Sequence, residues 1–209
     1  MSLVSLWGIG VIKRQIRSFA NGARVAALLF FFLPWVTVSC SSMPGDTELT
    51  QVLTVSEKSG SGAATGFSLA TGTAVISIPP ALNRAQPAAP GPRPAVLAAI
   101  LLILLGLAAG FALGGKRAAL AAAAATAAAI GLLGYAILFE VRLLTRDWLL
   151  AWAGSEFPAQ ESLRDPGRML EVIQVRPQIG FWLTIAALAA AIALDLFALK
   201  RARGAPPPS

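Results

Sequence analysis

Asp195 has the sharpest chemical claim, because it is the one charge in residues 179–199, an apolar run closed by Lys200, Arg201 and Arg203. A carboxylate inside such a run costs a few kcal/mol on insertion scales, so it must acquire a cation or a proton. One reading pairs it with a base at the nearer boundary. Lys200 stands about one and a half turns further on, and Lys116 or Arg117 would reach it from the adjacent turn. The other reading makes Asp195 a protonatable or cation-binding group of a small transporter or channel, aided by Thr184 or Thr126. At the opposite boundary, Glu140, Arg142, Arg146 and Asp147 read as a solvated interfacial charge cluster.

Elimination narrows the remaining chemistry. The chain has no histidine, which removes His-ligated haem or zinc, His-dependent triads and imidazole proton relays. Its single cysteine, Cys40, can form neither an internal disulfide nor a cysteine cluster. Gly114-Gly115-Lys116-Arg117 lacks the Ser or Thr that a phosphate-cradling loop places after its lysine, and it reads as a tight turn. An intramembrane aspartyl protease needs two embedded acids, and Asp195 is alone. The chain is therefore expected not to be an enzyme, and to hold no cofactor and no metal.

Composition dictates the elements that carry these residues. Hydrophobic residues make up 56% and charged residues 13% of the 209, against roughly 25% charged in a soluble domain. The expected fold is an all-α integral membrane protein: a four-helix transmembrane bundle with a small β-hairpin in the first extracytoplasmic loop. Residues 95–114 carry no charge and are long enough to cross a hydrocarbon core of about 30 Å at about 1.5 Å per residue. Residues 118–139 are also uncharged, although their alanine-rich first half relies on Ile130, Leu132, Leu133, Ile137, Leu138 and Phe139 for insertion. Residues 179–199 supply another span. The shortest is 25–40, VAALLFFFLPWVTVSC, read as a span with Arg24 snorkelling to its edge. Cleavage before Cys40 as a lipoprotein, and simple secretory cleavage, compete with that reading; Pro34 and Trp35 interrupt the apolar core that either requires.

Between the spans, residues 1–24 suit an amphipathic segment on the cytoplasmic surface. Residues 41–94 form an outer loop in which 48–55 and 66–78 are strand-like around a Gly-rich link, followed by a Pro-rich return. A second outer loop, 140–178, opens with helical spacing of Leu144, Trp148, Leu149 and Trp152, and 200–209 is a cytoplasmic tail expected to be disordered. Placing both termini in the cytoplasm gathers nine basic residues and no acid into short inner segments, as the positive-inside rule requires. Thirteen arginines against four lysines suggest a bacterial source, hence the inner membrane. The net charge of +7 is assigned to this asymmetry and not to nucleic acid.

Trp35, Trp148, Trp152 and Trp182 would then anchor the outer interface, with Trp7 at the inner one. Small residues mark helix packing: Gly106, Gly110 and Gly114 in one stripe, Gly131 with Ala127 on the next span, and Ala187 with Ala191 on the last. These stripes serve packing within the chain or a homo-oligomer. Beyond the lipid bilayer, the expected partner is another membrane protein, with the chain as a non-catalytic scaffold or accessory subunit of a larger complex. The strand-bearing first loop, tight inner turn and smaller second loop resemble the claudin tetraspan topology. Residues 41–94 contain neither that family's Trp-Gly-Leu-Trp run nor its two cysteines, so no function follows from the resemblance.

Overall fold

Proline decides where the first helix ends. In the computed structural model, which describes residues 3–40, 63–73, 91–112, 115–156 and 173–203, helix α1 runs Leu3–Phe30. Its last turn tightens through i to i−3 bonds from the amides of Phe31, Phe32 and Leu33. Pro34 cannot continue a helix, because it lacks an N–H and crowds the preceding turn. The β-branched residues that follow then extend as strand β1, Pro34–Cys40. The expected span over 25–40 is thus corrected: its first part completes α1 and its second part is strand. Residues 1–24 are corrected likewise, since from Leu3 onward they belong to the same helix.

Strand β2, Ala63–Thr65, leads directly into a short helix α2, Gly66–Thr71. Here the expected hairpin fails. Residues 66–71 are helical because Thr65 caps them, its hydroxyl accepting from the Ser68 amide at 3.0 Å while the Ser68 hydroxyl accepts from the Thr65 amide at 3.0 Å. This reciprocal cap satisfies donors that a strand would otherwise have used. Gly72, at φ 74°, closes the helix in the left-handed region. The other predicted strand, 48–55, lies outside the described residues.

Helices α3 (Pro94–Ala112) and α4 (Gly115–Tyr135) form an antiparallel pair. After α4 the chain makes one π-helical turn, Ala136–Glu140, and continues as α5, Val141–Glu156. Strand β3, Ile173–Pro177, precedes the last helix, α6, Ile179–Arg203. Helix accounts for 83% of the described structure, so the sheet is a minor cap. Among the described residues, three helical stretches are long and apolar enough to cross a membrane: Pro94–Ala112, Lys116–Asp147 and Ile179–Lys200. Helix α1 is not among them. It packs instead along α6 and touches α3, while α4 bridges α3 and α6.

The sheet has the order β2-β1-β3, with β1 antiparallel to both neighbours. Val36 pairs with Pro177 and Cys40 with Ile173, so the chain after α1 is stitched to the chain before α6. Trp35 fills the junction and is 0% exposed. Its indole N–H donates to the Phe30 carbonyl at 2.9 Å, a second donor on an acceptor that the Leu33 amide also reaches at the end of α1. Its ring meets Phe31 at 4.2 Å and Phe181 edge-on at 5.7 Å. Gly66 and Gly180 make this possible: a Cβ on Gly66 would lie 2.6 Å from the indole, and one on Gly180 would lie 2.6 Å from the Pro34 carbonyl oxygen.

Candidate functional site

Asp195 and Arg24 meet in the interior. The Arg24 guanidinium donates from Nη2 to Asp195 Oδ2, and the two form a buried ion pair. Arg24 is 0% and Asp195 4% exposed. Two more guanidinium nitrogens are occupied: Nε donates to Thr126 Oγ1 at 3.0 Å, and Nη1 to Asn21 Oδ1 at 3.3 Å. Thr126 in turn donates to the Ala122 carbonyl at 2.7 Å. The cluster therefore joins α1, α4 and α6.

Helix α3 contributes absence of bulk. A Cβ on Gly106 would sit 3.4 Å from Arg24 Nε, Thr126 Oγ1 and the Ala122 carbonyl oxygen, and one on Gly110 would collide with the Asn21 amide. These glycines let the α3 backbone close over the polar cluster, and this is the in-chain packing that small residues provide between membrane helices. An arginine and a carboxylate in low dielectric each carry a large desolvation penalty, offset only when their charges meet and their remaining donors are filled.

This geometry corrects two expectations. Arg24 does not snorkel to an interface, and Asp195 does not pair with Lys200, Lys116 or Arg117. Lys200 follows Asp195 by five positions, about 140° around the helix, so it cannot share the face that Asp195 turns inward; Lys116, Arg117 and Lys200 are all exposed. Arg24 reaches Asp195 because α1 runs antiparallel to α6, with the Leu33–Trp35 segment beside Gly180 at one end and Arg24 beside Asp195 further down. Thr184 takes no part. Its hydroxyl donates to the Gly180 carbonyl at 2.8 Å, and the residue lies about 16 Å from Asp195 along the axis.

The remaining predicted residues are dispersed. Ala191 is buried and Ala187 packs against the core. Gly131 instead faces open space on the outward side of α4, where an added Cβ would meet nothing within 4 Å. Gly114 lies outside the described residues. Trp35 is corrected from interfacial anchor to core residue, because β1 turns it toward the glycines. Trp182 is exposed on α6. Trp7 sits on α1, and Trp148 and Trp152 on α5; their side chains lie outside the description.

At the far end of the bundle, Glu140 leaves the charge cluster assigned to it. Its Oε1 accepts from the Ala95 amide at 3.3 Å, placing a carboxylate at the N-terminus of α3, where the helix dipole favours it. Glu140 Oε2 and Arg93 Nε are buried without a hydrogen-bond partner. Burial lowers the Arg93 pKa, while Glu140 and Asp147 oppose that shift. Arg146 pairs with the adjacent Asp147 at 2.6 Å in solvent.

Arg24 as the partner of Asp195, and Asn21 as a partner of Arg24, were not anticipated; Thr126 was named, but it bonds Arg24 and not Asp195. The available signal was charge parity: an inward-facing arginine at the start of one apolar run and a lone acid in another. No family model matches the chain, and comparison with curated proteins and with solved structures finds no match.

Proposed function

We propose that the chain is a four-span membrane protein with both termini cytoplasmic, acting without catalysis as a scaffold or accessory subunit of a larger membrane complex. The observation that carries this reading is the closed Arg24–Asp195 pair. The one carboxylate within Ile179–Lys200 is paired with an arginine of the same chain, whose other nitrogens are also engaged. A carboxylate so committed holds α1 to α6, and its Oδ2 is taken by a cation of the same chain. A fourth crossing by α1 is supported by what the helix exposes: Phe19, Val25 and Leu29, with Phe32 just beyond it, turn outward as apolar residues, while Asn21 and Arg24 turn inward.

Purification of the full-length protein from its native membrane in mild detergent tests the proposal. A reproducible stoichiometric partner is the expected result. Isolation only as a monomer or homo-oligomer would remove the basis of the accessory role. A liposome flux assay comparing wild type with Asp195→Asn completes the test: ion flux that the substitution abolishes would replace the scaffold by a transporter.

A further inference from the structure

The end of the bundle beyond the ion pair carries cations on three helices. At about 1.5 Å per residue, Arg17 on α1 lies about 10 Å past Arg24, Lys200 on α6 about 8 Å past Asp195, and Lys116 on α4 about 15 Å before Thr126. The helix directions place all three on the same side of the cluster. Arg117 stands beside Lys116. Asp195 is the one acid among the described residues near this end, and Arg24 already neutralises it. Lys116, Arg117 and Lys200 are exposed.

Two of these cations repeat one arrangement. Lys116 is followed one turn deeper by Leu120, and Lys200 is preceded one turn deeper by Leu196. Both leucines are exposed, and residues four apart share a helix face. Each helix thus presents an ammonium at the edge of the apolar belt with a bare leucine beneath it. That order, cation above and apolar surface below, matches a phosphate headgroup above an acyl chain. A free anion would have no use for the leucines.

We propose that this end of the bundle binds the headgroups of anionic phospholipids, with Lys116, Arg117 and Lys200 holding the phosphate and Leu120 and Leu196 lining the first part of the acyl chain. Juxtamembrane basic residues near a surface are known to attract such lipids additively.

The test uses full-length protein in nanodiscs of phosphatidylcholine, with and without phosphatidylglycerol. Native mass spectrometry measures which lipids remain bound. Wild type is expected to retain phosphatidylglycerol preferentially, and the triple variant Lys116→Gln, Arg117→Gln, Lys200→Gln to lose that preference by about tenfold or more. Lys116→Arg with Lys200→Arg should keep it. A second triple, Arg142→Gln, Arg146→Gln, Arg176→Gln, removes the same charge at the opposite end and should leave the preference intact; an equal loss there overturns the site in favour of diffuse attraction. Undiminished preference in the first triple also overturns it. Inorganic phosphate added to phosphatidylcholine nanodiscs should not raise thermal stability, and a rise equal to that from phosphatidylglycerol would mean that the end takes a free anion and not a lipid.

Discussion

Asp195→Leu should be more damaging than Arg24→Met, and the double substitution less damaging than either. In Asp195→Leu the guanidinium keeps Asn21 and Thr126, but these are neutral acceptors, and its charge stays buried and unpaired. Breaking a buried pair from one side costs about 3–5 kcal/mol. Insertion scales give roughly 2.5–3.5 kcal/mol for an arginine at the centre of a span, so about 3 kcal/mol is the expected loss. Arg24→Met strands the carboxyl instead. A carboxyl can neutralise itself by taking a proton, which a guanidinium cannot do, so this loss should be smaller, about 1–2 kcal/mol. Removing both charges together leaves apolar side chains of similar reach and should return stability to within about 1 kcal/mol of wild type. Reversible unfolding by SDS titration in mixed micelles measures all four proteins, and the coupling energy follows from the cycle. Should Asp195→Leu fail to insert, Asp195→Asn preserves an acceptor and tests the charge alone. Additive losses in the double variant, or Arg24→Met losses exceeding those of Asp195→Leu, would falsify the account of the pair as a mutual neutralisation.

Gly110→Ala should destabilise by about 1–3 kcal/mol, because its methyl overlaps the Asn21 amide; the same unfolding titration reads it. Gly131→Ala should be neutral or stabilising by up to about 1 kcal/mol, since its methyl meets open space and alanine favours helix. The sign difference between two glycines of similar sequence context is the check. Trp35→Ala should remove about 3–5 kcal/mol and, because the indole is 0% exposed, the native protein's tryptophan fluorescence should shift to the red on its loss. Thr65→Ala removes the cap of α2 at a cost of about 1 kcal/mol, visible as faster amide exchange at residues 67–69 with the membrane helices unchanged.

Most of the helical framework was legible because lipid is a demanding solvent. A run such as 95–114, free of charge and long enough to cross, admits few conformations other than helix, and Pro94 sets where it begins. The outer elements were illegible for the opposite reason. Across 66–78, threonine and valine argued for strand, and for 66–71 the decision fell to the reciprocal hydroxyl pairing between Thr65 and Ser68. Strand β1 was hidden by its hydrophobicity. Pro34-Trp35-Val36 reads equally well as the top of a span or as a buried strand, and only the antiparallel partners from 63–65 and 173–177 settle which; these lie up to about 140 positions away.

The same distance explains why the ion pair escaped reading, and what it implies for the first helix. Asp195 signalled a missing cation, but the nearest bases in sequence were the wrong ones, because helical phase excludes Lys200 and depth excludes Lys116. Arg24 stands at the edge of the apolar run 25–40 and reads there as a snorkelling cation, but that run is short for a span, and under the four-span reading proposed above the crossing must begin earlier. If the crossing is moved back toward Phe19, Arg24 falls inside it, the helix loses the apolar character that the other three possess, and an acid becomes necessary elsewhere in the bundle. Asp195 is that acid. Each charge is unfavourable in its own helix and tolerable only beside the other, so α1 and α6 depend on one another, and the first helix is completed in energetic terms only once the last has been made.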